Sequence, residues 1–333
     1  MDRARELEHA LSAADAACRA VAAVGSPEDF GPGGVVEKGA AGPLTLADLA
    51  SQVAAIVTLR AALGPSTRFV AEESAEEVEA HGGDELLGRV ARILGDAGIA
   101  GGAPGARIDA SGVREALSLG GHAGGRDRFW AIDPLDGTKG FLRGGQFAIA
   151  IALVEEGRPV VGVLGLPRLG PTGTEPGSGV LVHAVLGGGA GQALLGGGPA
   201  TAIRARGWSA GQPIRLAGSV EKAHSASDAL ESVVARVGDV HPVRVDSQAK
   251  YALVARGDAD AYVRRSPSAG YREWIWDHAA GALVASEAGC VVTDALGCPL
   301  DFSQGRRLER SSGILCAPPA LQRVLGELLA SGG

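Results

Sequence analysis

The stretch Phe129-Trp130-Ala131-Ile132-Asp133-Pro134-Leu135-Asp136-Gly137-Thr138 decides how this chain is read. Its first four residues are apolar and read as a compact strand that delivers Asp133 at its end. Pro134 turns the chain, so Asp136 can return to the side of Asp133 with the Leu135 carbonyl between them. One carboxylate of such a pair can bridge two divalent ions while the other serves one, and the carbonyl offers a neutral oxygen. Gly137-Thr138 opens a turn or a helix, where backbone N–H groups can face an anion and the Thr138 hydroxyl can orient a water. Lys139 adds charge there or faces solvent. In isolation the same letters also spell an ordinary surface turn, because Asp, Pro and Gly are turn residues.

Two further acidic sites lie outward from this stretch. Residues 67–71 read as a short strand ending on Glu72-Glu73-Ser74. Trp274-Ile275-Trp276 precedes Asp277, which opens an apolar helical stretch over 277–288. Alone, the first is a solvated pair in an acidic run and the second a helix N-cap. Together with Asp133 and Asp136 they form the hard-oxygen set that magnesium takes alongside substrate phosphates.

The rest of the pattern supplies a frame. Leu7, Leu11, Ala14, Cys18 and Val21 recur at steps of four and three, which predicts a first helix. Thr45 or Asp48 caps a second helix that runs through Ile56 and Leu59. Residues 95–128 read mostly as loop with one short helix at 113–117. Segments 147–154 and 159–164 predict an antiparallel hairpin, and 180–186 with 192–195 a further strand pair. Gly187-Gly188-Gly189-Ala190-Gly191 between the last two lacks the Lys, the Ser/Thr and the following helix of a phosphate-cradling loop. From Gln212 onward, strands at 214–218, 240–245, 261–263 and 291–292 alternate with helices at 227–237, 247–256 and 277–288. The expectation is an α+β to α/β chain, with an antiparallel-sheet N-terminal half over 1–211 and an α/β C-terminal half over 212–333.

An apolar fraction of 46% in 333 residues is ample for a large buried core. Acidic and basic residues break every apolar run short of membrane-spanning length. The net charge of −7 argues against nucleic acid or an anionic membrane as partner, since either needs a basic face. Cys18, Cys290, Cys298 and Cys316 contain no C-x-x-C pair, which fits a reducing compartment rather than a disulfide framework or a structural zinc site. Asp2, Glu6, Glu8 and Asp15 are unlike a transit peptide. The expectation is a cytoplasmic protein without a leader, with a monomer favoured.

Three separated motifs in order, Ala71-Glu72-Glu73-Ser74, Trp130 through Asp133-Pro134-Leu135-Asp136-Gly137-Thr138, and Trp276-Asp277-His278-Ala279-Ala280-Gly281 with Glu287-Ala288-Gly289, resemble the inositol monophosphatase superfamily of lithium-sensitive, magnesium-dependent phosphatases. Thr138-Lys139-Gly140-Phe141-Leu142-Arg143-Gly144 looks like its 3′(2′),5′-bisphosphate nucleotidase branch. The segments 220–225, 246–251, 260–264 and 271–273 are similar to that branch as well.

The resemblance implies a layered αβαβα fold and hydrolysis of 3′-phosphoadenosine 5′-phosphate to AMP and phosphate, with the sulfated analogue PAPS as a second substrate. It makes Glu72, Asp133, Asp136, Asp277 and the Leu135 carbonyl ligands of two or three Mg²⁺ ions. It assigns water activation to Asp48 with Thr138, and substrate contacts to Gly137, Thr138, His224, Ser247, Lys250 and Arg264. The chain departs from the family pattern in Lys38-Gly39-Ala40-Ala41-Gly42-Pro43-Leu44-Thr45, which lacks an Asp and a Ser, and in Trp274, where Lys is usual. The alternatives are an inositol polyphosphate 1-phosphatase and a nucleotide-binding sensor that turns over poorly.

Overall fold

In a computed structural model of the chain the described residues are 2–25, 34–37, 43–101, 106–220, 230–266, 268 and 270–331. Asp2 caps helix α1 (Arg3–Val24) by accepting from the N–H groups of Ala4 and Arg5. A two-stranded ribbon, β1 (Val35–Glu37) against β2 (Pro43–Thr45), leads into α2 (Leu46–Leu63). By length and composition α2 could cross a membrane, yet two thirds of it is buried inside the fold, Asp48, Ser51 and Gln52 among its buried residues. It is a core helix.

Strand β3 (Phe69–Ala71) is followed by α3 (Ala75–His81), α4 (Gly83–Asp96) and α5 (Ala110–Leu119), and then by β4 (Phe129–Asp136). That crossover makes β3 and β4 parallel. After the short helix α6 (Thr138–Leu142), the chain meanders through β5 (Ala148–Glu155), β6 (Arg158–Leu166), β7 (Val180–Val185), β8 (Gly189–Leu194) and β9 (Thr201–Ile203). All of these pair antiparallel with their neighbours, giving a seven-stranded sheet in sequence order.

Strand β5 shows why this sheet is a middle layer. Ile149, Ile151 and Leu153 belong to the core shared with α1 and α2, while Ala148, Ala150, Ala152 and Val154 face the opposite core. The period of two thus puts large side chains on one face and small ones on the other. Each buried Ile or Leu contributes roughly 1.5–3 kcal/mol. The small face lets another helix approach closely: a Cβ at Gly162 would lie 2.9 Å from the Ala280 carbonyl oxygen.

A five-stranded mixed sheet follows, in the order β11-β10-β12-β14-β13. Its strands are β10 (Ile214–Gly218), β11 (Val240–Arg244), β12 (Ala261–Arg264), β13 (Val291–Thr293) and β14 (Ile314–Ala317). Helices α7 (Ala249–Arg256) and α8 (Ala279–Glu287) lie between the two sheets, and α9 (Pro319–Ala330) packs on the outer face through Leu321 and Leu325. The succession α1/α2, sheet, α7/α8, sheet, α9 is the five-layer α+β arrangement that the resemblance implied.

Several elements differ from the sequence reading. Region 95–128 holds a ten-residue α5, and α3 and α4 precede it. The stretch 189–191 is strand rather than loop, with the Glu287 carboxylate accepting from the N–H groups of Gly187 and Gly189. Helix α8 starts at Ala279, so Asp277 is left in the preceding turn, free of the N-cap role. The helix expected at 227–237 lies partly outside the described residues.

Candidate active site

Helix α2 organises the site through one face. Thr45 caps the helix by accepting from the N–H groups of Ala47 and Asp48. Oδ2 of Asp48 accepts from Thr45 N (2.8 Å) and Thr45 Oγ1 (2.5 Å), which completes a capping box. Thr45 and Asp48 therefore both cap, and Oδ1 of Asp48 stands 3.3 Å from Thr138 Oγ1. Three and four residues on, the same face carries Ser51 and Gln52. Ser51 Oγ donates to the Pro134 carbonyl (2.6 Å). Gln52 grips the Glu73 backbone twice, donating to its carbonyl (2.7 Å) and accepting from its N–H (2.9 Å).

Strand β4 loses register with β5 between Asp133 and Asp136: Asp133 pairs with Ala150, and Asp136 with Ala148. Three steps on one strand against two on the other make a bulge, a device that re-aims side chains at a strand end. The Leu135 N–H donates to Asp133 Oδ1 (3.2 Å), and the Leu135 carbonyl lies 3.2 Å from Thr138 Oγ1. Gly137 has φ +90°, a left-handed conformation that leaves room for Ser247, whose Cβ would sit 3.2 Å from an added Cβ.

These residues meet the C-terminal half in a cavity of about 370 Å³. Glu72, Asp136, Thr138 and Asp277 line it together with Gly137, Ser247, Lys250 and Arg264. Asp133 stands close behind, near enough for the charges of Glu72, Asp136, Asp277 and Asp48 to bear on it. His224 lies outside the described residues, as do positions 38–42 of the altered segment before Asp48.

Residues 5–331 match the inositol monophosphatase family. A 3′(2′),5′-bisphosphate nucleotidase of Oryza sativa is 41% identical over 336 residues, covering 97% of this chain and 92% of that one. The 3′(2′),5′-bisphosphate nucleotidase 1 of Candida albicans is 36% identical over 305 residues, covering 85% and 83%. The chain belongs to the inositol monophosphatase family. The solved inositol monophosphatase from Anabaena, 20% identical, has the same fold with a TM-score of 0.62 over 99% of this chain and 97% of that one. As an inositol monophosphatase family member the chain is a phosphoric monoester hydrolase, of a family generally dependent on Mg²⁺.

The electrostatics of this family member fit a divalent cation. Burial, then Glu72, Asp136, Asp277 and Asp48, push the Asp133 carboxyl well above the usual carboxylate range. Burial also raises Asp136, against the pull of Lys250 and the Gln248 N–H. Asp277 is pushed up to about 8, by burial first and Asp136 next. Crowded buried carboxylates of this kind repel until a cation neutralises them. The donors are all oxygen, which suits Mg²⁺ rather than a softer metal.

Glu273, Asp277 and His278 also come within 4.8 Å of one another. The two oxygens of Glu273 face Arg264 Nε (3.0 Å) and His278 Nε2 (3.5 Å), and His278 Nδ1 meets the Tyr251 hydroxyl at 2.9 Å. Glu273 therefore belongs to a buried network that holds Arg264 in place, and of the three only Asp277 lines the cavity.

The cavity also holds cations beside these carboxylates. Burial pulls the Lys250 ammonium down to about 8, and its Nζ lies 3.4 Å from Ser219 Oγ. Burial works to lower Arg264 too, but Tyr262, Glu273 and Asp277 outweigh it and keep the guanidinium charged. Ser247 holds φ +68°, a strained conformation of the kind that collects at functional sites.

Sequence reasoning missed several participants. Gln248 donates its backbone N–H to Asp136 Oδ2 (2.5 Å), its side-chain N–H to the Trp276 carbonyl (2.9 Å), and accepts from Gly281 N. It ties the Asp136 and Asp277 segments together. Asp246 pairs with Arg143 (2.9 Å), and both line the cavity. Gln248 and Asp246 stand inside a segment already singled out for Ser247 and Lys250, so the signal was present but unassigned.

Proposed function

We propose that the chain is a Mg²⁺-dependent 3′(2′),5′-bisphosphate nucleotidase, hydrolysing 3′-phosphoadenosine 5′-phosphate to AMP and phosphate, with PAPS as a second substrate. The observation that carries this reading is a cavity lined by both kinds of group, the carboxylates Glu72, Asp136 and Asp277 together with Ser247, Lys250 and Arg264. A bisphosphate engages both sets, one phosphate at the carboxylate-held cations and the other at Lys250 and Arg264, whereas an inositol monophosphate leaves one set idle. The nucleotidase names of the rice and Candida relatives point the same way.

In this reading Glu72, Asp133, Asp136, Asp277 and the Leu135 carbonyl hold two or three Mg²⁺ ions, which supply Lewis-acid chemistry by acidifying water and offsetting charge on the leaving oxygen. Thr138, donating to Asp48, turns an oxygen lone pair toward the attacking water, and Asp48 Oδ1 is the final proton acceptor. Lys250 and the planar guanidinium of Arg264 hold the second phosphate, with the Ser247 hydroxyl. Gly137, lacking a side chain, lets Ser247 approach the phosphate site, and His224 is assigned to the nucleotide pocket on sequence alone.

A phosphate-release panel tests the reading. With Mg²⁺ present, kcat/KM for 3′-phosphoadenosine 5′-phosphate should exceed that for inositol 1-phosphate by at least about 10²-fold, the scale of one well-placed charged contact, and should also exceed that for inositol 1,4-bisphosphate. Preference for an inositol phosphate would sink it.

A further inference from the structure

Arg306 lies in the loop after β13 and among the described residues is not part of the cavity lining. Its guanidinium is committed to backbone oxygens of one region: it donates to the carbonyls of Ala71 (2.6 Å), Gly120 (3.0 Å) and His122 (3.1 Å). Ala71 is the residue before Glu72. The same guanidinium lies 4.9 Å above the Trp276 ring, and Trp276 is the residue before Asp277.

The Arg306 main chain reinforces the second attachment. Its carbonyl accepts from Ile275 N (3.1 Å), the Leu308 N–H donates to the Glu273 carbonyl (2.9 Å), and Trp274 pairs with Arg307 in an antiparallel bridge. Trp274 stacks on Trp276 at 4.6 Å, and Arg307 lies over Trp274. Arg306 therefore joins, through one side chain, two carboxylate-bearing segments: Glu72 beside the seven-stranded sheet, and Asp277 ahead of α8.

The geometry points to Arg306 as a positioning residue that fixes the spacing between Glu72 and Asp277 and thereby sets the affinity of the site for divalent cations. A planar fork is the group for this task. It reaches three carbonyls in fixed directions while its face stays on an indole, a combination that the single ammonium of Lys cannot reproduce. Partners one step behind a metal site commonly tune its affinity by about 10–100-fold. The inference rests on the proposed cation role of the carboxylate cluster.

The test is Mn²⁺ binding to metal-free protein, followed by the electron paramagnetic resonance signal of free Mn²⁺, for the wild type, Arg306→Gln, Arg306→Lys and the exposed control Arg310→Gln. Arg306→Gln should weaken Mn²⁺ by about tenfold or more, Arg306→Lys by less, and Arg310→Gln not at all. Retention of 3′-phosphoadenosine 5′-phosphate by the metal-free variant, read by equilibrium dialysis, should stay within about threefold of wild type, a split that general loss of structure would not give. Equal Mn²⁺ affinity in wild type and Arg306→Gln overturns the role of Arg306 while leaving the cation site standing. A wild type that binds no Mn²⁺ overturns both. Should the variants fail to fold, hydrogen exchange on the wild type decides: Mn²⁺ should slow exchange at 303–308 together with 69–74 and 274–279, and unchanged exchange at 303–308 overturns the proposal.

Discussion

Thr138 Oγ1 stands 3.3 Å from Oδ1 of Asp48, while the other Asp48 oxygen is occupied by the backbone and hydroxyl of Thr45. The acid proposed to receive the proton is thus also half of a helix cap, which fixes its rotamer before any substrate arrives. Thr138→Val removes the hydroxyl at nearly constant volume and leaves the cap intact. It is expected to lower kcat by about 10²–10⁴-fold with KM changed only a few-fold, as measured by steady-state phosphate release. Asp48→Asn should match that loss and also cost up to about 1 kcal/mol of stability in denaturant unfolding, through a weakened cap. A fully active Thr138→Val would remove the pair from the mechanism.

The crowded carboxylates give metal removal a signature in stability. Asp277 in the folded, metal-free protein is pushed up to about 8, against about 3.9 for an unfolded Asp. The folded state then holds a proton that the unfolded chain has released, so metal-free stability falls as pH rises through that window and is regained below it. Mg²⁺ competes with the proton. The rise in Tm on adding Mg²⁺ should therefore be larger at pH 8 than at pH 6, in paired thermal scans with and without chelator. Asp136→Asn should raise the metal-free Tm at pH 8 by about 2–4 °C per kcal/mol of relieved repulsion and abolish the Mg²⁺ response.

Lys250 supplies a separate pH dependence. Burial holds its ammonium near 8, so the free enzyme loses that charge as pH rises through this value. The value of kcat/KM for the bisphosphate is expected to decline above about pH 8, and Lys250→Arg should move the decline beyond the accessible range. An unchanged profile in Lys250→Arg would assign the limb to another group.

Gly140 is packed where a side chain cannot go. A Cβ there would lie 2.6 Å from the Gln146 carbonyl oxygen and 2.9 Å from Asp246 Oδ2. Gly140→Ala should displace Asp246 and with it Arg143, costing about 1–3 kcal/mol and raising KM for the nucleotide, while the Mg²⁺-induced Tm rise stays at its wild-type size. A smaller Mg²⁺-induced Tm rise as well would mean that Gly140 also supports the carboxylate cluster.

What was legible in the sequence is what short-range chemistry encodes. The strand ending on Asp133, the hairpin around Gly157 and the alternation of β5 follow from periods of two and turn residues, and the three acidic motifs carried the family. Ser51, Gln52, Gln248 and Arg306 were not legible as site-builders, because each acts on backbone oxygens or N–H groups from 21 to 235 residues away. No local spacing signals such a contact.

Other misses have local causes. Helix α4 buries Leu86, Leu87, Val90 and Leu94 on one face, but it starts on Gly83 without a side-chain cap, next to an acidic run that reads as solvated surface. Strand β14 is a four-residue apolar run, Ile314–Ala317, too short for periodicity to distinguish strand from helix. The network of Glu273, Arg264, His278 and Tyr251 was hidden because a buried acid between Arg272 and Trp274 looks like surface charge in one dimension.

The most direct test of the central claim is ³¹P nuclear magnetic resonance of 3′-phosphoadenosine 5′-phosphate incubated with the wild-type protein, with Mg²⁺ and then with excess chelator. The account predicts inorganic phosphate and AMP that retains its 5′-phosphate, formed only with Mg²⁺ and not by Asp136→Asn. Intact nucleotide in the presence of Mg²⁺, release of the 5′-phosphate instead, or equal turnover with chelator would contradict it.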